Sequence, residues 1–396
     1  MKLRLAAPIG LALAALPILA HASEAVSAEQ IVDVEKYGRA IHIMVMLLAG
    51  FGFLMVFVKR YGRSALTATY LLVSLALPLY FLKDKLALMG GSGSDIDGLI
   101  LAEFAAASLL ICAGAVLGRI KMGQYLVLGL LFIPCYALNE WILQGGGLGL
   151  IPAGAFLDTG GSILIHAFGA LFGLAAIFSL TTRREYETEI PADATSDRFS
   201  MAGSMLLWIF WPSFCAALVP TGDVPSTAVN VILALCGSTL ATYFASVGLR
   251  RKIAIADIAN AALAGGVAIG SACARTGPGA SFLIGILAGA LSTFGFAVIQ
   301  PRLQAAFKKV DTCGVLYLHG LPGLLGGIAV LFAVDGLDAG VQFTGIAVMV
   351  VIALAGGFVV GKIVSALGRR EYAYEDGEEF LVEPSEVPGK GKKAAA

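Results

Sequence analysis

The sequence predicts an all-α integral membrane protein: eleven transmembrane helices, arranged as two inverted five-helix repeats plus a long C-terminal helix. Three observations predict it. Apolar residues fill 58% of the 396 positions and charged residues 14%, with a mean hydropathy of +0.86, far from the composition of a soluble domain. Apolar runs of about 20 residues, the length of a bilayer crossing, recur along the whole chain. Finally, the stretch Asp158–Leu174, DTGGSILIHAFGALFGL, returns from Asp311 as DTCGVLYLHGLPGLLGG. In both copies Asp-Thr-x-Gly leads to a histidine (His166, His319), and a glycine follows (Gly173, Gly326).

The elements follow in order. Residues 1–22 read as a signal peptide, with Lys2 and Arg4 before a short apolar stretch and Ala20-His21-Ala22 before Ser23. Its removal leaves His42, His166 and His319 in a membrane domain over residues 23–368. Spans are expected near 40–58, 65–82, 97–117, 122–143 and 160–180, forming repeat A (about 39–180). Spans near 199–219, 225–248, 253–273, 279–299 and 313–334 form repeat B (about 198–334), and span eleven covers about 340–367. Lys59, Arg60, Arg63, Arg119, Lys121, Arg183, Arg184, Arg250, Arg251, Lys252, Arg302, Lys308, Lys309, Arg369 and Arg370 fall in alternate connections, with Lys83, Lys85 and Arg275 as exceptions. By the positive-inside rule the mature N-terminus is outside and the C-terminus cytoplasmic. Spans five and ten then run in opposite directions, which places the working site near the midplane between the halves.

Other features bound the chemistry. Formal net charge is zero, so nothing points to nucleic acid. The six cysteines lie in or beside apolar spans without CxxC spacing and read as small buried hydrophobes; no metal or cofactor motif stands out. Gly169-x-x-x-Gly173 and Gly323-x-x-x-Gly327 are patterns that let helices approach closely. Residues 369–396 form a tail beginning RREYAYEDGEEF. It reads as solvated, with a docked regulatory or trimer-stabilising segment as the alternative.

His166 and His319 carry the functional expectation, because an ionisable residue inside a span is costly and marks a pathway. If both line one passage, their imidazoles can share a hydrogen bond and offer their other nitrogens to a small polar neutral molecule. Asp158 reads equally as a helix cap or as a group that recruits cations, and Asp311 as a cap or ion pair beside Lys308 and Lys309. His42 is expected to bond to a neighbour near the membrane face. Phe104 and Phe214 read, by residue type alone, as packing.

The stretches DTGGSILIHAFGALFGL, SDRFSMAGSMLLWIFWPSFCAAL (Ser196–Leu218), DIANAALAGGVAIG (Asp257–Gly270) and DTCGVLYLHGLPG (Asp311–Gly323) together resemble the Rh (Rhesus) glycoprotein branch of the ammonium transporter family. The likeness runs over essentially the whole mature chain and looks like that of a bacterial Rh-type protein in the plasma membrane. It implies a homotrimer with a narrow hydrophobic pore in each protomer and ammonium or ammonia as the solute. In that scheme His166 and His319 are paired pore histidines, Phe104 and Phe214 stack to close the outer mouth, and Asp158 is the acid of the outer vestibule. The Phe104 assignment rests on the shorter match around AEFAAAS and GAVLG. There are departures: Gln144, not Trp, precedes Gly145-Gly146-Gly147, Trp141 is out of register, and Leu218 stands where a serine of the Amt branch would be. Loss of a cation–π face and a hydroxyl implies low affinity and facilitated, bidirectional conduction. Three alternatives stay open: a CO2 channel, an intramembrane bis-histidine haem or metal protein, and a sensor signalling through a cytoplasmic partner of the tail.

Overall fold

The computed structural model describes residues 27–57, 62–91, 93–188, 190–373 and 375–381. The expected signal peptide, Lys59 and Arg60, and the tail beyond 381 lie outside the described residues. The described residues form eleven long helical segments: α1 Ala28–Phe57, α2 Gly62–Lys85, α3 Asp95–Ala115, α4 Met122–Leu143, α5 Ser162–Leu180, α6 Ala194–Cys215, α7 Thr221–Arg250, α8 Ile255–Ile269, α9 Pro278–Phe307, α10 Leu316–Ala333 and α11 Ala339–Ala366. All but α6 and α8 are both long and apolar enough to cross a bilayer by those criteria alone. The segment α8 is broken, with helical pieces Ile255–Ala261 and Ala264–Ile269. No strand occurs among the described residues.

Helix starts are set by caps. Ser94 accepts from the Asp97 N–H, Asp193 from those of Thr195 and Ser196, and Asp338 from those of Gly340 and Val341. The Asp193 cap explains why α6 starts at Ala194, several residues before its apolar run. Likewise α1 begins at Ala28, where Ser27 and Gln30 form a capping box, so the polar lead before Arg39 is helical.

Packing is close because glycines take the crossing points. A Cβ on Gly285 would lie 2.0 Å from the Ala234 carbonyl oxygen, and one on Gly265 2.1 Å from that same atom. Thus α7, α8 and α9 meet at backbone contact, a geometry only the smallest residues permit. In the same way Gly357 of α11 lies against the Phe172 carbonyl of α5.

The two halves repeat each other in detail. At the start of α5, Gly160 N–H bonds Gly270 O (2.7 Å) and Ser162 Oγ donates to Val267 O (2.7 Å), tying it to the end of α8. Before α10, Thr312 N–H bonds Ala115 O (3.1 Å) and Cys313 N–H bonds Gly114 O (3.2 Å), tying it to the end of α3. Gly161 and Gly314 occupy matching positions with φ of +74° and +68°, a left-handed conformation that glycine adopts without strain. Each is followed by a π-helical stretch, Ser162–Ala167 and Leu316–Gly320, which contains the histidine.

On one side of the molecule, the tail face, the described part of the tail is docked rather than solvated as expected. Its acids find helix N-termini, where N–H groups lack partners inside the helix. Asp376 accepts from the Arg63 and Ser64 N–H groups (2.8 and 3.0 Å) at α2, and Glu379 from the Met122 N–H (3.0 Å) at α4. Glu371 pairs with Arg184, and its carbonyl accepts from Thr182 Oγ1 (2.9 Å). Nearby, Arg369 and Lys309 both donate to Thr181 O. Burial raises the Glu185 carboxyl above its ordinary pKa range, opposed by the Thr182 N–H bond and the Arg119 charge. Burial and the charge of Arg369 lower that of Lys309.

Candidate functional site

The opposite side, the vestibule face, opens into a cavity of about 570 Å³. Its lining includes Phe104, Glu140, Trp141, Asp158, Leu164 and Leu218. Trp141 faces this cavity although its register differs from the expected one. It packs onto Gly147, where a Cβ would come within 2.4 Å of the indole.

Asp158 is buried and fully used. Its oxygens accept from Ile163 N–H (3.0 Å), Leu164 N–H (2.7 Å) and Ser271 Oγ (2.6 Å). Of the two readings open in the sequence, the cap is the one built here, and Ser271 extends it across to the second repeat. Asp311 mirrors it, accepting from Val315 and Leu316 N–H at 3.0 Å each. Glu140 is different. One oxygen accepts from Tyr80 Oη (2.5 Å), while buried Oε1 has no partner among the described residues. Sequence reading passed over Glu140, although an acid inside the apolar run ALNEWIL was the available signal.

Beyond the vestibule the Phe104 and Phe214 rings meet with centroids 4.7 Å apart, tilted at 49° rather than stacked in parallel. Phe214 also touches His166, with ring centroids 6.0 Å apart. His166 and His319 then face each other: centroids 5.3 Å apart, planes within 8°, and Nδ1 to Nδ1 3.3 Å. Both are buried, and His166 Nε2 has no partner among the described residues. Trp211, also unremarked in the sequence, stacks on His166 at 5.5 Å. His319 opens on its other side into a small cavity of about 20 Å³, lined also by Phe51, Leu318 and Asn260.

The 3.3 Å contact needs one proton between the two Nδ1 atoms. With both rings neutral, the ring that donates there presents a bare Nε2 and the other presents Nε2–H. The pair therefore offers an acceptor and a donor in sequence. A metal held in line between the two Nδ1 atoms, as in a bis-histidine haem bound through them, does not fit, because two metal–nitrogen bonds of ~2 Å each exceed the 3.3 Å separation. Elsewhere, His42 bonds Ser213 Oγ (2.9 Å), and no cluster suited to a metal ion occurs among the described residues.

Among the described residues, two mirrored five-helix halves and a closing α11, with a buried histidine pair between the halves and a cavity on either side of it, define a polytopic membrane transport protein. The comparisons with known proteins agree. The family profile described as Ammonium Transporter Family matches residues 18–377. Ammonium transporter Rh type C of Xenopus tropicalis is 34% identical over 87% of this chain and 81% of its own length. Ammonium transporter Rh type B of Oryctolagus cuniculus is 40% identical over 74% of this chain and 64% of its own. The solved structure titled Nitrosomonas europaea Rh50 and mechanism of conduction by Rhesus protein family of channels is 51% identical, with a TM-score of 0.87 over 90% of this chain and 94% of that one. The Candida albicans Mep2 structure, 20% identical with a TM-score of 0.72, shares the fold. The chain belongs to the ammonium transporter family and, within it, to the Rh branch.

Proposed function

We propose that this protein is a channel-type transporter that recruits ammonium at the vestibule face and conducts ammonia to the tail face past the histidine pair. The observation that carries the reading is the His166–His319 contact, screened from the vestibule by Phe104 and Phe214 and opening beyond into a small, mostly apolar cavity. Moving a bare monovalent cation into a low-dielectric interior costs on the order of 20 kcal/mol. Removing its proton at neutral pH, for an amine with pKa ~10, costs roughly 4 kcal/mol. Deprotonation followed by passage of neutral NH3 is therefore the cheaper route.

In this reading the buried, uncommitted Glu140 oxygen attracts the cation, while Asp158 shapes the site by fixing the start of α5. Phe104 and Phe214 act as the gate, and the histidines supply alternating acceptor and donor to the dry solute. The vestibule faces outward and the tail face the cytoplasm. This agrees with the basic connections Arg63, Lys121, Arg184 and Lys309, which gather around the docked tail. A homotrimer in the bacterial plasma membrane belongs to the same proposal.

Ammonium flux into proteoliposomes, with simultaneous recording of charge movement, tests it. Wild-type protein is expected to conduct above protein-free vesicles with little net charge per ammonium. His166→Ala and His319→Ala are each expected to lower the flux about tenfold, the scale of one lost hydrogen bond in a dry site. Undiminished conduction in both variants would refute the pore assignment.

A further inference from the structure

Resting on that reading, we infer that Asn260 is a solute-binding residue at the exit beyond His319, presenting a fixed hydrogen-bond acceptor to a molecule that carries N–H groups. The cavity there is walled mainly by apolar side chains, among them Phe51, Leu54, Met55 and Leu318. Besides His319 and the weakly bonding thiol of Cys313, Asn260 is the polar side chain in the lining. A neutral amine that has left the imidazole pair therefore meets this amide before it meets bulk water.

The amide is oriented. Its Nδ2 donates to Ala256 O at 2.9 Å, and because a carbonyl can only accept, the nitrogen must lie on that side. Oδ1, which receives no hydrogen bond among the described residues, is left as the acceptor. The backbone around it is pinned as well. Asn260 is the last residue but one of the first piece of the broken α8, and its carbonyl accepts from Leu263 N–H at 3.0 Å. One turn earlier, buried Asp257 is held by Arg250 Nε and Nη2 (2.8 and 3.0 Å) and by Ser246 Oγ (2.8 Å), which fastens this piece to α7.

A broken helix at a membrane site exposes polar groups to a pathway that an intact helix would leave apolar. Here Oδ1 faces outward as an acceptor, while one of the two Nδ2 hydrogens is held by Ala256 O. The acceptor serves ammonia and ammonium, which carry N–H groups, and CO2, which has no hydrogen, cannot use it.

The test measures ammonium-driven flux in proteoliposomes for wild type, Asn260→Ala, Asn260→Leu and Asn260→Ser, each first shown to unfold thermally at the wild-type temperature. A serine hydroxyl at this position can donate to the same carbonyl and still present lone pairs, so it preserves the acceptor. Ala and Leu are expected to reduce flux about fivefold, the factor for one net hydrogen bond, and Ser is expected to keep at least about half of wild-type flux. Wild-type flux in either Ala or Leu overturns the inference, as does a fall in Ser as deep as that in Ala. If wild type itself fails to exceed protein-free vesicles, the channel reading falls and this inference with it, a result distinct from a conducting wild type with indifferent variants.

Discussion

At the scale of single residues, the buried acids divide by how their oxygens are used. Asp158 spends its acceptor capacity on two backbone N–H groups and on Ser271. Ser271→Ala removes, of these three Asp158 contacts, the one that comes from the other repeat. It is expected to cost about 1–3 kcal/mol, read as a lowered thermal unfolding temperature in detergent, with a smaller loss of conduction than either histidine variant shows. The sequence left cap and cation site equally open for Asp158, because an Asp before an apolar helix satisfies both descriptions. Only the partners of its oxygens distinguish them. The histidine pair was legible, since two ionisable groups at repeat-equivalent points have few other reasons to be there. Glu140 and Trp211 carry weaker signals: one is a lone acid without a repeat partner, and the other looks like any aromatic in an apolar span.

At the scale of elements, apolar runs marked a helical segment at each of the eleven expected positions, although α6 and α8 do not meet the length and hydropathy of a full crossing. Hydropathy could not locate their true starts, which depend on hydrogen-bonding side chains such as Ser27 and Asp193 that it reads as loop. Nor could it show the break in α8, where the run from Ala261 to Ile269 stays free of polar side chains while the backbone turns at Ala262 and Leu263. The crossing of α7 with α9 rests on Gly285. Gly285→Ala places a methyl group where a carbonyl oxygen already sits, 2.0 Å away, and is expected to destabilise the protein by ~1–3 kcal/mol. Gly279→Ala, on the same helix with open space around it, serves as the near-neutral comparison in the same thermal unfolding measurement.

At the scale of the whole molecule, the constant offset of 153 residues between the two histidines foretold a two-fold relation, and the mirrored turns at Gly161 and Gly314 express it in the backbone. The docked tail stands in the sequence only as the alternative to a solvated one. Its acidic composition suits water equally well, and the helix ends it caps are distant in sequence. Asp376→Ala is expected to cost about 1 kcal/mol, as loss of a helix cap does, and to speed amide hydrogen exchange in the first turn of α2 about fivefold while leaving α10 unchanged.

The chamber beyond His319 offers about 20 Å³, enough for a single occupant the size of water or ammonia. On the proposed channel reading, molecules then take turns in it, and an inbound molecule cannot slip past an outbound one. Throughput on that reading is governed by how quickly that lone berth empties, so crowding from the far side throttles delivery even when the supply is abundant.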